Sequence, residues 1–151
     1  VDDAFDAVLS CDVLYHAGVP DVSAALKEHV RVLRPGGLLL VNLPAYEWLR
    51  SSHDIHIHTR ARFTARRVRR LLSAAGCTPL RVTYWNTALF PPLAVIRLVR
   101  RMWPPEGSDL GAGAAPWAAP LLGPLLEAEA RFALRAGLPY GMSVFGVARK
   151  G

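Results

Sequence analysis

Leu-Leu-Leu-Val-Asn-Leu-Pro, residues 38 to 44, is an apolar run with almost no polar alternation. A strand with one wet face alternates, whereas a strand covered on both faces does not. The run is therefore predicted to be a strand inside a sheet with a layer on either side. Directly ahead stand Arg34-Pro35-Gly36-Gly37, where proline ends a helix and two glycines permit a tight reversal. The preceding segment has helical spacing. Val22, Leu26, Val30 and Leu33 share one face, while Lys27, Glu28 and Arg31 face away. Asp21 is placed to cap this helix, which is expected to run to about Leu33. Upstream, Ala7-Val8-Leu9 reads as a first buried strand. Strand, helix and strand in so short a stretch make a βαβ unit, with the strands parallel and the crossover right-handed.

Both carboxyl ends then point the same way, and in open α/β sheets that edge is where ligands sit. The first strand ends in Ser10, Cys11 and Asp12, with His16 four residues on; the second ends in the stretch from Asn42 to Tyr46. These are candidate rim residues. A loop from Pro44 to Thr64 follows, carrying Tyr46, Trp48, His53, Asp54, His56 and His58. Thr64 is placed to cap a second helix with Val68, Leu71, Leu72 and Ala75 on its apolar face, and Gly76 ends it. Further strands are expected at Leu80–Trp85 and Met142–Lys150, and further helices at Pro91–Trp103 and Pro124–Ala136. The stretch 104–120 is low in complexity and is expected to be loop, within a helical insertion spanning 86–139.

At 151 residues, with 52% hydrophobic and 20% charged residues, the chain suits one globular α/β domain rather than a disordered segment. Cys11 and Cys77 make no disulfide framework and no zinc-binding pattern. The formal charge is +6, carried mostly by arginine. In the run from Arg60 to Arg70 the arginines flank an ordinary apolar stripe, and only Phe63 could stack on a base, so nucleic acid is not an expected partner. The segment 91–103 is different. Leu93, Ile96, Val99 and Trp103 lie beside Arg97, Arg100 and Arg101, a pattern that suits peripheral contact with anionic lipid, a lid over a pocket, or a dimer face. No apolar run approaches the length of about 18 residues needed to span a bilayer. The expected location is cytoplasmic, with peripheral membrane contact through 91–103 as an option.

The residues Phe5-Asp6-Ala7-Val8-Leu9-Ser10-Cys11-Asp12-Val13-Leu14-Tyr15-His16, followed by the helix, Leu33-Arg34-Pro35-Gly36-Gly37 and the second strand, resemble the second half of class I S-adenosylmethionine-dependent methyltransferases. The stretch from Tyr46 to Thr64 is similar to a loop of a bacterial small-molecule subgroup. Asn86 to Pro92 and Leu138 to Arg149 add further likeness. Tyr15 departs from the pattern, since many relatives carry an acidic residue there. The resemblance implies a partial Rossmann-like sheet made of strands four to seven, with the last antiparallel and inserted between the two before it. The glycine-rich cofactor turn and the ribose-binding acid of the family are not found in this sequence. The chain is thus expected to be the carboxyl-terminal part of such a domain, inactive alone, with its first strand an uncovered edge prone to self-association.

The same resemblance implies S-adenosylmethionine as cofactor and a small-molecule or amphiphilic methyl acceptor. It places Ser10, Cys11, Asp12 and His16 along the cofactor crevice. His53 and Asp54 are then the candidate bases, and Tyr46, Trp48 and His58 the candidate acceptor wall. No base is required unless the acceptor is protonated, because alignment supplies much of the rate of an in-line displacement. Two other readings stay open. One is a non-catalytic remnant or interaction module. The other is a metal-dependent enzyme using the His53–His58 loop, although no recognised spacing fixes a third ligand and no metal site is assigned.

Overall fold

The computed structural model describes residues 1–102 and 119–151, without the side chains of Ser52, His53, Leu134, 100–102 and 119–122. Four strands, β1 (Phe5–Cys11), β2 (Leu33–Pro44), β3 (Cys77–Trp85) and β4 (Ser143–Lys150), form one mixed sheet in the order β1-β2-β4-β3. β1 and β2 are parallel, with Leu9 opposite Leu40 and Cys11 opposite Asn42. β4 runs antiparallel to both β2 and β3. The α/β class, the parallel pair and the inserted antiparallel last strand are as the sequence implied. β1 is the edge strand on one side.

Helices α1 (Val22–Val32) and α3 (Ala65–Ala74) cover one face. Asp21 caps α1 by accepting from the Ser23 and Ala24 amides at 2.8 and 3.1 Å. Thr64 caps α3 through the Arg67 amide at 3.3 Å. Leu26 and Val30 of α1 and Val68 and Leu72 of α3 pack with Leu39, Val41, Leu43, Val82, Val144 and Ala148 in the core. The approach of α3 is close. A Cβ on Gly146 would meet side-chain atoms of Val41, Leu72 and Val68 at 3.1–3.3 Å.

One boundary differs from expectation. Helix α1 ends at Val32, and β2 begins at Leu33 without an intervening loop. Arg34 precedes proline and is steered toward extended backbone. Phe5 pairs with Leu33 and Ala7 with Leu38, so the four residues 34–37 bulge opposite the single Asp6. Gly36 has φ +79, and a Cβ on Gly37 would come within 2.9 Å of the Arg34 carbonyl oxygen. Arg34 closes the bulge by ion pairing with Asp6.

The loop expected over 44–64 holds a short 3-10 turn (Glu47–Leu49) and a one-turn helix, α2 (Ser52–His56). Two longer helices, α4 (Phe90–Met102) and α5 (Ala119–Arg135), fall within 86–139. The proposed lid or membrane helix loses part of its basic edge, because Arg97 turns inward and donates to the Leu49 carbonyl at 2.9 Å. Trp103, most of the 104–120 stretch, and the Arg100 and Arg101 side chains lie outside the described residues. Leu93, Val95, Ile96, Leu98 and Val99 of α4 are exposed. No helix among the described residues is long and apolar enough to cross a membrane.

Candidate functional site

The register brings Cys11, Asn42, Phe145 and Thr83 into one row across the sheet, with Pro44, Ser143 and Trp85 two residues further out. The carboxyl ends of β1, β2 and β3 and the start of β4 therefore share one rim. Two rim loops are stitched together there. The Ala17 amide donates to the His58 carbonyl and the Arg60 amide to the Tyr15 carbonyl, both at 2.8 Å. His16 and Thr59 form an isolated bridge. Backbone with positive φ gathers at this rim, at Asp12 (55°), Tyr46 (54°) and His58 (52°), and such conformations concentrate at functional sites.

The four candidates at the end of β1 separate by strand alternation. Ser10 faces the covered side, where it is buried and its hydroxyl has no partner among the described residues. Cys11 is exposed on the other face. Asp12 turns the chain, and its carboxylate accepts two long hydrogen bonds from Asn42 Nδ2, at 3.3 and 3.4 Å. His16 Nδ1 accepts from the Gly18 amide at 3.0 Å, which fixes its turn, and its ring meets that of His58 edge-on at 5.7 Å.

Asp54, a candidate base from sequence, is fully buried. Its Oδ1 accepts from Arg62 Nε at 2.8 Å, and its Oδ2 accepts from Arg62 Nη2 at 3.1 Å and from the Ser51 amide at 2.8 Å. Arg97 Nη1 stands 3.7 Å from Oδ2. Burial alone would push this carboxyl up. The Arg62 hydrogen bonds, the Ser51 amide and the charges of Arg62 and Arg97 outweigh it and hold the group below the usual carboxylate range. A carboxylate engaged in this way is a poor proton acceptor. His53 has its backbone in α2, and its side chain lies outside the described residues. His56 sits in the helix and His58 beyond it at positive φ, so the two do not share an extended face. No cluster of three metal-ligating side chains occurs among the described residues.

Tyr46 and Trp48 belong to an aromatic group. Tyr46 stacks on Tyr84 at 5.1 Å and meets Trp48 and Phe90, each at 5.7 Å, and Phe90 meets Tyr140 at 5.4 Å. Burial first, then the hydrogen bond and charge of Tyr84, push the Tyr46 phenol well above its usual range. Trp48 is 45% exposed.

Two cavities open at the rim. One, of about 190 Å³, has a mixed wall in which Asp12, Tyr15, Asp54, Thr59, Arg62 and Arg97 stand beside Pro44, Ile57 and Met142. The other, of about 330 Å³, is apolar and lies between α5 and the sheet face opposite α1 and α3, against Cys11, Asn42, Thr83, Trp85, Ala130, Ala133 and Phe145. Sequence reading missed Tyr15, Thr59 and Arg62 as cavity residues. Arg62 was hidden in an arginine-rich run that reads as a solvated surface, and no periodic signal joins it to Asp54.

A methyltransferase domain family model matches residues 1–41. No curated protein matches the chain by sequence. Among solved structures, a methyltransferase from Thermotoga maritima, described as a possible histamine N-methyltransferase, is similar at 18% identity and TM-score 0.56 over 99% of this chain and 58% of that one. Phosphoethanolamine N-methyltransferase 2 from Haemonchus contortus, solved with S-adenosyl-L-methionine, is similar at 16% identity and TM-score 0.54 over 99% of this chain and 34% of that one. The [4+2]-cyclase SpnF is similar at 23% identity and TM-score 0.52 over 99% and 50%. The chain resembles class I S-adenosylmethionine-dependent methyltransferases in its sequence over 1–41 and in its fold, and it spans about half the length of the first solved chains it matches.

Proposed function

We propose that this chain forms the acceptor-side half of an S-adenosylmethionine-dependent methyltransferase acting on a small molecule. The observation that carries the reading is the rim. The end of β1 at Asp12 meets a cavity walled by the loops that follow β1 and β2, by Arg97 of α4 and by Ser143 at the start of β4, in a fold similar to that of the Thermotoga maritima methyltransferase. Cys11, Asp12 and Asn42 suit one wall of a groove for the donor. Asp12 has acceptor capacity left by its long contacts to Asn42, whereas Ser10 is turned away. No glycine-rich strand–turn–helix occurs among the described residues.

When bound, the donor supplies an electrophilic methyl group. The chain's own share is then positional. The buried Asp54–Arg62 pair holds the loop after β2 in one geometry, and Arg62 Nη1 ties it to the Ala45 carbonyl at 2.8 Å, at the end of β2. We assign Asp54 as an anchor and leave any proton acceptance to Asp12 or His53. The aromatic group around Tyr46 and Trp48 would close the acceptor side against water. Alignment of this kind accounts for a large share of rate in bimolecular transfers. The likeness to a [4+2]-cyclase favours a second reading, in which the same rim serves a reaction other than methyl transfer, since fold alone does not fix chemistry.

Calorimetric titration with S-adenosylhomocysteine tests the first reading. Binding that Asp12→Ala weakens and Arg69→Ala does not is the expected result. Binding unchanged by Asp12→Ala would refute the placement of the donor.

A further inference from the structure

The two edges of the sheet differ in charge. Beside β1, Arg31 pairs with Asp2 and Glu28, Arg34 with Asp6 and Lys150 with Asp3. β3 is the opposite edge, and Arg69 and Arg81 flank it in the wall of a groove of about 450 Å³. Neither arginine has an ion pair among the described residues, and the exposed Arg69 side chain has no hydrogen bond there either. No aspartate or glutamate occurs in 55–105 or 130–151, so the segments that build this edge carry no acid.

The groove has a basic group on each bank and strand backbone between them. Val82 lies opposite Gly146, on the face covered by α3, and Arg69 reaches the groove from α3. Arg81 lies opposite Val147 on the other face, where its Nη2 donates to the Arg135 carbonyl of α5 at 3.2 Å; that bond engages one of several guanidinium donors. The Tyr84 amide donates outward to the Leu138 carbonyl at 3.4 Å, and the Leu138 amide donates to Thr83 Oγ1 at 2.7 Å. The chain's own Leu138 thus takes the first place along this edge. Alternate residues of a strand turn their backbone groups to the same side, so those of Val82 also face outward, with no partner among the described residues.

We propose that this groove docks an extended acidic segment of a partner protein, which adds a strand to β3 and sets two adjacent carboxylates on Arg69 and Arg81. Successive side chains of an extended chain point to opposite faces, so neighbours in sequence reach the two banks. Strand addition draws affinity from backbone bonds and specificity from side chains, and arginines beside an open edge repel a strand of like charge while admitting one of opposite charge. A nucleic acid suits the groove less, because its backbone brings no N–H for the Val82 carbonyl and no aromatic ring lines the groove for base stacking. The inference does not rest on the methyl-donor reading.

Fluorescence anisotropy with the full chain and four labelled probes tests it. The first is a capped hexapeptide of threonines with two adjacent glutamates. The second is its isomer with the glutamates separated by one threonine, the third replaces both glutamates by glutamine, and the fourth is a six-nucleotide oligothymidylate. The first should bind at least about tenfold tighter than the third, the scale of one charge-assisted hydrogen bond. It should also bind about fivefold tighter than its isomer, which places both carboxylates on one face. Arg69→Ala should lower the first probe to the level of the isomer without moving the melting temperature, and Arg34→Ala at the opposite edge should leave binding unchanged. With the first probe bound, the Val82 amide should gain protection from hydrogen exchange. Isomers that bind alike, an Arg69→Ala variant that binds as wild type, oligothymidylate that binds as tightly as the acidic peptide, or no binding of any probe would overturn the proposal.

Discussion

The two faces of the sheet are made of similar residues and meet different surroundings. On one face Leu39, Val41, Leu43 and Val144 are buried under α1 and α3. On the other, Leu38, Leu40, Phe145 and Val147 are only half-buried, and Leu9 is 65% exposed. Adjacent residues of one strand, Leu39 and Leu40, thus have the same chemistry and different burial. The composition of β2 suits a sheet layered on both sides, yet among the described residues α5 covers only part of the second side, over β3 and the apolar cavity. Burial in this sheet is thus set by the helices packed on a face and not by the apolar character of its residues.

The largest expected effect lies above both faces, at the rim, and sets the scale for comparing them. Asp54→Ala leaves Arg62 buried without its carboxylate and should cost about 3–5 kcal/mol in urea denaturation. A loss under about 1 kcal/mol would mean the pair is not dry. The comparison of faces comes next. Leu39→Ala should cost about 2–5 kcal/mol as a core truncation, and Leu40→Ala about 1 kcal/mol or less. Equal costs would show that the second face is already covered. A pH series refines the rim measurement. Asp54 is held below the ordinary carboxylate value, so its contribution is present in full above about pH 4 and is lost as pH falls through its lowered value. Asp54→Asn should flatten that part of the acid limb. Smaller still is Ser10→Ala, which removes a buried hydroxyl without a partner among the described residues and should be neutral or stabilising by up to about 1 kcal/mol. Leu9→Lys should shift stability by less than about 0.5 kcal/mol. Its readout is sedimentation, where a charge on the exposed edge strand should reduce any self-association.

Much of the fold was legible because its signals are local. Asp21 and Thr64 each precede an apolar stripe at helical spacing, and both are the caps observed. The parallel pairing of β1 with β2 follows from a helix of three turns between two apolar runs. Gly36 and Gly37 were legible as a break but not as a strand bulge, because the chemistry that stops a helix also permits a looped-out strand. The candidate site was less readable. Asp12 and the loop after β2 do meet at one cavity, but which side chains face it depends on loops stitched through backbone bonds such as Arg60 to Tyr15, which leave no pattern in sequence. Asp54 shows the limit most plainly. A carboxylate among histidines reads as a proton acceptor until the arginine eight residues on is seen to enclose it.

The central claim is that the end of β1 and the start of the loop after β2 form the ligand groove. Amide chemical-shift mapping of the full chain with S-adenosylhomocysteine tests it most directly. The account predicts perturbed amides clustered at Cys11 to His16 and Asn42 to Tyr46. Shifts concentrated on α3 and the far end of β3, or none at saturating ligand, would contradict it.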